Sequence, residues 1–276
     1  MGQDISAGFA PANEIFERAN AVLGYDLRAL CFEGPDEKLK ETLYAQPALL
    51  TVGYLHFMAA KAGGLKADLT AGHSLGEYTA LVAAGALEFE DALRLVQQRA
   101  EVMSRAAQGA MAALIGLPDE KLEDVLTAAG QVGTVVAANF NSPGQVVVSG
   151  TPEAVEAAMK EAKGQGAKLA VKLAVSGAFH SPLMADAGEK MAALIDAAPF
   201  SDAQIPVYQN TTAQSATAAD ELRAALRPQM TSAVRWTETV QNMIGAGTAH
   251  FIELGPGNVL TGLVKRIDKG VSLENL

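Results

Sequence analysis

Gly72-His73-Ser74-Leu75-Gly76 is the segment of this chain whose residue types and spacing could carry covalent chemistry. A Gly-x-Ser-x-Gly turn between a strand and a helix lifts the serine hydroxyl out of a sharp bend and into a cleft. Gly72 and Gly76 present no side chain to the approaching helix or substrate. A short strand, Asp68 to Ala71, precedes the turn and an apolar helix, Tyr78 to Leu87, follows it. The first amides of that helix, the Leu75 N–H foremost, are aimed to hold a developing oxyanion. Alone, the five-residue pattern more often marks a glycine-flanked N-cap serine with no chemistry; strand, turn and helix in this order favour the nucleophile.

A serine attacks only when a base takes its proton, and the chain has four histidines. His56 lies in an apolar helical stretch and reads as a packed or capping residue. His73 adjoins the nucleophile on a tight turn, points elsewhere, and keeps at most a pocket-shaping role. His250 precedes the strand Phe-Ile-Glu-Leu as an edge residue. His180, in Ser176-Gly177-Ala178-Phe179-His180-Ser181-Pro182 just after a predicted strand, is left as the base.

A third residue is out of place on its helix. In the helix Ala92 to Ala106, Arg99 lies within about 60° of Leu95, Val96, Val102 and Met103, inside the apolar stripe, whereas Arg94 and Arg105 fall more than about 100° away. A guanidinium facing the core is costly unless it meets an anion. Snorkelling or a structural acid would satisfy it, but beside a nucleophile turn the better partner is a substrate carboxylate gripped through both oxygens.

The elements that must position these groups alternate as in an α/β protein. Mainly helices run from Ala10 to Ala106. The middle then reads as strand Met111 to Gly116, helix Asp119 to Ala129, strands Thr134 to Asn139 and Gln145 to Ser149, helix Pro152 to Lys163, and strand Ala167 to Val175. This βαββαβ order is the split βαβ sandwich of ferredoxin-like domains. Alternation resumes with strands Ile205 to Gln209 and His250 to Leu254 and a closing helix, Val259 to Ile267. The expected architecture is a large α/β-hydrolase-like domain with a parallel sheet, residues 1–109 and 178–276, interrupted by a small ferredoxin-like domain, residues 110–177.

Composition narrows the partners. The 276 residues hold 21 Lys and Arg against 31 Asp and Glu, a net charge of −10 with no basic block, so nucleic acid is not expected as a partner. Cys31 is the sole cysteine, which removes internal disulfides and Cys-built zinc clusters. The start has no signal-peptide pattern, and the apolar stretch Ala48 to Ala60 is broken by Thr51, Gly53 and His56, so no membrane association and a cytoplasmic location are expected. No metal motif, dinucleotide fingerprint or phosphate loop is found, so neither a metal nor an organic cofactor is expected.

Taken together, GHSLGEYTAL around Ser74, QPALL from Gln46, QQRAEVM around Arg99, NFNSPGQVVVSG from Asn139, SGAFHSPLM around His180 and ELGPGNVLTGLVKRI from Glu253 resemble the malonyl-CoA:acyl carrier protein transacylases and the acyltransferase domains of polyketide synthases. The resemblance covers nearly the whole chain. It implies ping-pong transfer of malonyl from malonyl-CoA to the phosphopantetheine thiol of acyl carrier protein, supplying the extender unit of fatty acid synthesis. Ser74 would be the acylated nucleophile, His180 the general base and acid, Arg99 the carboxylate ligand, and the Gln229 backbone carbonyl the group that orients His180. Phe179 beside His180 resembles the malonyl-selecting form. Gln46, His73 and Met103 are further substrate-binding candidates. Asn139 and Asn141, two apart on one strand face, line the cleft or merely lead into the Ser-Pro-Gly-Gln hairpin. A monomer is expected.

The sequence departs from the family at its start. The usual apolar strand and Gly-Gln-Gly-Ser-Gln loop, which donates a second oxyanion contact, are missing, and the natural chain is therefore expected to begin upstream of Met1. Two other readings use the same elbow: a serine esterase or thioesterase, and a carrier-binding pseudoenzyme without the oxyanion loop.

Overall fold

Helical periodicity dominates the first part of the chain, and the computed structural model shows why the nucleophile turn is rigid. It describes residues 1–106, 109–175 and 177–276; Ser176, which opens the His180 segment, lies outside them, as do Ala107 and Gln108. Helices α1 (Gln3–Gly8), α2 (Ala12–Leu23), α3 (Leu27–Glu33), α4 (Asp36–Lys40) and α5 (Thr42–Ala62) come first, then β1 (Thr70–Ala71), α6 (Gly76–Ala83) and α7 (Phe89–Ser104). Leu50, Val52 and Leu55 of α5, Leu81 of α6, and Leu93 and Val96 of α7 form one fully buried core. The helix after the nucleophile is shorter than the expected Tyr78 to Leu87. It stops at Ala83 because Gly85, at φ 75°, turns the chain left-handed and ties the Gly85 N–H to the Val82 carbonyl.

The middle segment is β2 (Ala110–Ile115), α8 (Leu122–Ala129), β3 (Val135–Ser142), β4 (Gln145–Gly150), α9 (Pro152–Gly164) and β5 (Leu169–Lys172). Its sheet has the order β3-β4-β2-β5 with every pairing antiparallel. Successive side chains of a strand point to opposite faces. Ala112 and Leu114 therefore join Val148, Val125 and Val155 in a core under α8 and α9, while Met111, Ala113 and Val147 face the main core. A sheet buried on both sides needs a continuous apolar run, as Ala110 to Ile115 provides. The last strand is shorter than the expected Ala167 to Val175.

The remaining elements are α10 (Ala185–Ala197), β6 (Val207–Tyr208), β7 (Ser215–Ala216), α11 (Ala219–Leu226), α12 (Trp236–Gly245), β8 (His250–Glu253), α13 (Val259–Ile267) and β9 (Ser272–Asn275). The expected parallel sheet of the large domain is reduced in extent. One two-residue parallel pair, β1 with β6, carries the antiparallel edge β7, and a separate parallel pair joins β8 to β9. Neither β7 nor β9 shows the apolar alternation that marks a strand, since Ser215 and most of Ser272 to Asn275 lie on the surface. Among the described residues no helix is long and apolar enough to cross a membrane.

Candidate active site

The elbow follows from one steric constraint. A Cβ on Gly72 would lie 2.0 Å from the carbonyl carbon and oxygen of Gly76, so only glycine lets the strand pass the start of α6. Gly76 needs no such allowance, because a Cβ there would meet nothing within 4 Å; the steric role expected for both glycines belongs to Gly72. Ser74 itself sits at φ 51°, and His180 at φ 57°. Such left-handed conformations of non-glycine residues persist only where surrounding contacts hold them, and they cluster at functional sites. Asn210, at the carboxyl end of β6, supplies the contacts at the elbow: its Oδ1 accepts the Ser74 N–H at 2.6 Å and its Nδ2 donates to the Gly72 carbonyl at 2.7 Å.

Ser74 and His180, 106 positions apart, meet at 2.8 Å between Oγ and Nε2. The other ring nitrogen, Nδ1, lies 2.9 Å from the Gln229 carbonyl and 3.1 Å from the Ser232 carbonyl. Carbonyls only accept, so Nδ1 carries the proton, and Nε2 is left with the lone pair that takes the serine proton. Two backbone oxygens thus do the orienting that a carboxylate does in a triad. Burial, reinforced by the Arg99 charge, holds the His180 pKa down to about 3, so the free imidazole is neutral and ready to act as a base. The Leu75 N–H has no acceptor among the described residues and heads the N-terminus of α6.

Arg99 completes the group. It is 2% exposed, within the buried stripe Leu95, Val96, Ala100 and Met103 of α7, whereas the Arg94 and Arg105 side chains are exposed and pair with Asp91 and Glu101. Its Nη2 donates to Ser74 Oγ at 2.9 Å and to Gln229 Oε1 at 3.3 Å, its Nη1 donates to Gln46 Oε1, and its Nε has no partner in the described structure. The guanidinium also lies over the Tyr78 ring, 5.8 Å from the centroid. All of its acceptors are neutral oxygens. A buried cation in that condition is a site for an anion.

The other expected residues divide. Gln46 is brought in, held between Arg99 and Met103, whose sulfur accepts from Gln46 Nε2 at 3.2 Å. His73 turns away from Ser74, bonds Asn141 Oδ1 through Nε2 at 2.8 Å, and packs edge-on against Trp236. Asn139 and Asn141 both lie in β3, but the strand is irregular between Ala137 and Asn139 and again between Phe140 and Ser142, so regular alternation does not pair them. Asn141 reaches the site through His73; Asn139 pairs its backbone with Val234. Phe179 packs into the main core next to Gly177 and makes no polar contact with the site. His56 and His250 lie elsewhere, against the Leu276 carbonyl and Glu274.

Three features had no place in the sequence reading. Asn210 could have been sought as a polar residue at the carboxyl end of a strand next to the nucleophile strand. Glu77, fully buried in the apolar helix α6, is detectable by the same misplacement that exposes Arg99. The Gln229 side chain, as well as its carbonyl, serves the site: Nε2 donates to the Ser74 carbonyl at 2.9 Å and to Glu77 Oε2 at 2.6 Å. That depends on tertiary placement, which no local pattern encodes.

The family model of the acyl transferase domain matches residues 5–272. The chain belongs to the acyl transferase family. Within it, the chain is 44% identical over 273 residues to the malonyl CoA-acyl carrier protein transacylase of Bacillus subtilis (strain 168), spanning 98% of this chain and 86% of that one. It is also 44% identical over 271 residues to the enzyme of the same name from Escherichia coli (strain K12), spanning 97% and 88%. The acyl carrier protein S-malonyltransferase of Vibrio cholerae O1 biovar eltor str. N16961 superposes with a TM-score of 0.96 at 42% identity, over 100% of this chain and 92% of that one. A malonyl-transacylase solved in complex with its type II PKS acyl-carrier protein superposes equally well, TM-score 0.96 at 42% identity, over 99% and 90%. This acyl transferase therefore shares its fold with enzymes named for malonyl transfer.

Proposed function

We propose that this acyl transferase moves the malonyl group of malonyl-CoA to the phosphopantetheine thiol of acyl carrier protein, through a malonyl ester on Ser74, and so supplies the extender unit of fatty acid synthesis. The observation that carries this reading is Arg99: a buried guanidinium with only neutral acceptors, 2.9 Å from the nucleophilic oxygen. The malonyl carboxylate is three bonds from the ester oxygen, within reach of that group. Acetyl offers Arg99 nothing and leaves the charge buried and unpaired.

Ser74 Oγ attacks the thioester carbon while its proton passes to His180 Nε2. The tetrahedral oxyanion lies against the Leu75 N–H at the positive end of α6. The C–S bond breaks, CoA thiolate leaves with the proton from His180, and the malonyl-serine ester remains. In the second half the carrier thiol gives its proton to His180, its sulfur attacks the ester carbon, and the C–O bond breaks as Ser74 recovers the proton. The protein's own groups supply every proton transfer and charge, so the reaction is written without metal or cofactor. Ser74, His180, Arg99 and the Leu75 N–H all come from one chain, so in this reading the enzyme acts as a monomer. In this reading the 110–177 unit, set into residues 1–109 and 178–276, lends a wall of the cleft through Asn141, and the enzyme works in the cytoplasm.

The test is transfer of labelled malonyl. Label that stays on the protein and moves to added holo-acyl carrier protein is the expected result; rapid release of free malonate would make the chain an esterase or thioesterase, and no labelling would make it a pseudoenzyme.

A further inference from the structure

Glu77 is a buried acid that the transfer chemistry above leaves idle. It stands in the first turn of α6, three residues after the nucleophile, and is fully shielded from solvent. Its Oε2 accepts from Gln229 Nε2 at 2.6 Å, and its Oε1 accepts the Asn210 N–H at 3.4 Å. These two partners are the ones that hold the machinery. Asn210 clamps the elbow on both sides of His73, and Gln229 orients His180 with its carbonyl.

The Gln229 amide makes the connection directional. An amide donates only from nitrogen. With Nε2 committed to Glu77 and to the Ser74 carbonyl, Oε1 has to face Arg99, where it accepts from Nη2 at 3.3 Å. A single neutral amide therefore separates the buried acid from the buried cation. We propose that Glu77 is a positioning residue for substrate selection, which through the Gln229 side chain sets how strongly Arg99 draws the carboxylate of the acyl group.

The proposal rests on the malonyl reading, because it concerns the competition between two carboxylates for one guanidinium. When the acyl carboxylate docks, the Arg99 charge that favours ionised Glu77 is neutralised. Ionised Glu77 then opposes docking, and protonated Glu77 does not. Linkage makes the effect reciprocal: the factor by which ionisation of Glu77 weakens malonyl binding is the factor by which malonyl binding weakens its acidity. Burial already pushes the Glu77 carboxyl up to about 7, against the opposing pull of the Gln229 bond, the Asn210 N–H and Arg99, so the balance lies near neutral pH. The other titratable groups facing it do not change charge there. Burial holds His180 neutral down to about pH 3, lowers His73 below its ordinary range, and lifts Tyr78 to about 12; Arg99 remains the cation.

The experiment is the ratio of kcat/KM for acylation of Ser74 by malonyl-CoA to that by acetyl-CoA, measured from about pH 6.5 to about pH 8.5. Taking the ratio cancels ionisations of CoA, of the nucleophile and of His180, which both substrates share. The ratio is expected to fall about fivefold or more as pH rises through the Glu77 transition, and to become flat in Glu77→Gln, which is uncharged at every pH. A purely structural glutamate would change yield or overall rate and leave the slope in place. A flat ratio in the wild-type enzyme, or a wild-type slope in Glu77→Gln, overturns the proposal. Should Glu77→Gln not fold, the wild-type profile decides, together with calorimetry in buffers of different ionisation enthalpy: malonylation at neutral pH should take up protons and acetylation should not. An enzyme that loads malonyl with a flat ratio refutes only the role of Glu77. A chain that loads no malonyl at any pH refutes the functional reading and this inference with it.

Discussion

Replacing Arg99 by alanine isolates the substrate-selecting charge. Arg99 donates to Ser74 Oγ, Gln46 Oε1 and Gln229 Oε1, and none of these is a charged acceptor. A docked malonyl carboxylate would give two of those donors an anionic acceptor in a buried site, each such bond worth roughly 1.5–3 kcal/mol. Arg99→Ala should therefore lower malonyl kcat/KM by about 100-fold to about 10,000-fold, at roughly 1.4 kcal/mol per tenfold. Acetyl is subject to a different balance. The variant no longer leaves a guanidinium buried and unpaired beside the methyl group, so acetyl kcat/KM should fall far less, and the preference for malonyl should collapse. Both rates are read from label on the protein after rapid quenching, with thermal unfolding as a check that the variant is folded. Equal fractional losses toward malonyl and acetyl would refute the carboxylate role and reduce Arg99 to a support for Ser74.

Further expectations follow from the same contacts. Gly72→Ala puts a methyl carbon 2.0 Å from Gly76 backbone and should destabilise the fold by more than about 3 kcal/mol in urea melts, whereas Gly76→Ala, with nothing within 4 Å, should change stability by less than about 1 kcal/mol. Asn210→Ala strips the Ser74 N–H and the Gly72 carbonyl of their shared partner; it should cost about 1–3 kcal/mol in stability and slow acylation by malonyl and acetyl to similar degrees, which quench-flow would check. His180 has a folded pKa depressed to about 3 from 6.5, so the unfolded chain binds a proton between those values that the folded one does not. Its contribution to stability should thus fall by about 1.4 kcal/mol per unit as pH drops through that window. Urea melts of His180→Gln should show a correspondingly shallower acid loss than the wild type.

Ser74, His180 and Arg99, which the structure brings together, were legible in the sequence from their local context. Ser74 sits between glycines at a strand-to-helix junction, His180 follows a strand in a loop, and Arg99 occupies an apolar stripe. The helices and the βαββαβ segment were legible because amphipathic periodicity survives wherever one face is buried. Elements with weak burial patterns were not. β7 and β9 are short and largely exposed, whereas β1 and β6 were legible as strands and only their two-residue extent, which depends on pairing across the chain, was not. The site partners that escaped notice, Asn210, Glu77 and the Gln229 side chain, act across separations of 130 to 155 positions, as in the Gln229 to Ser74 contact with its separation of 155. Arg99 and Glu77 break the same rule on neighbouring helices, α7 and α6.

Malonyl transfer through Ser74 is tested by peptide mapping with mass spectrometry of the enzyme quenched after brief exposure to malonyl-CoA, before and after addition of holo-acyl carrier protein. One malonyl group is expected on the peptide containing Ser74, bound as an ester, that disappears as the carrier's pantetheine thiol gains the same mass. Malonyl found on another residue, or an ester on Ser74 that the carrier thiol cannot remove, would contradict transfer through Ser74.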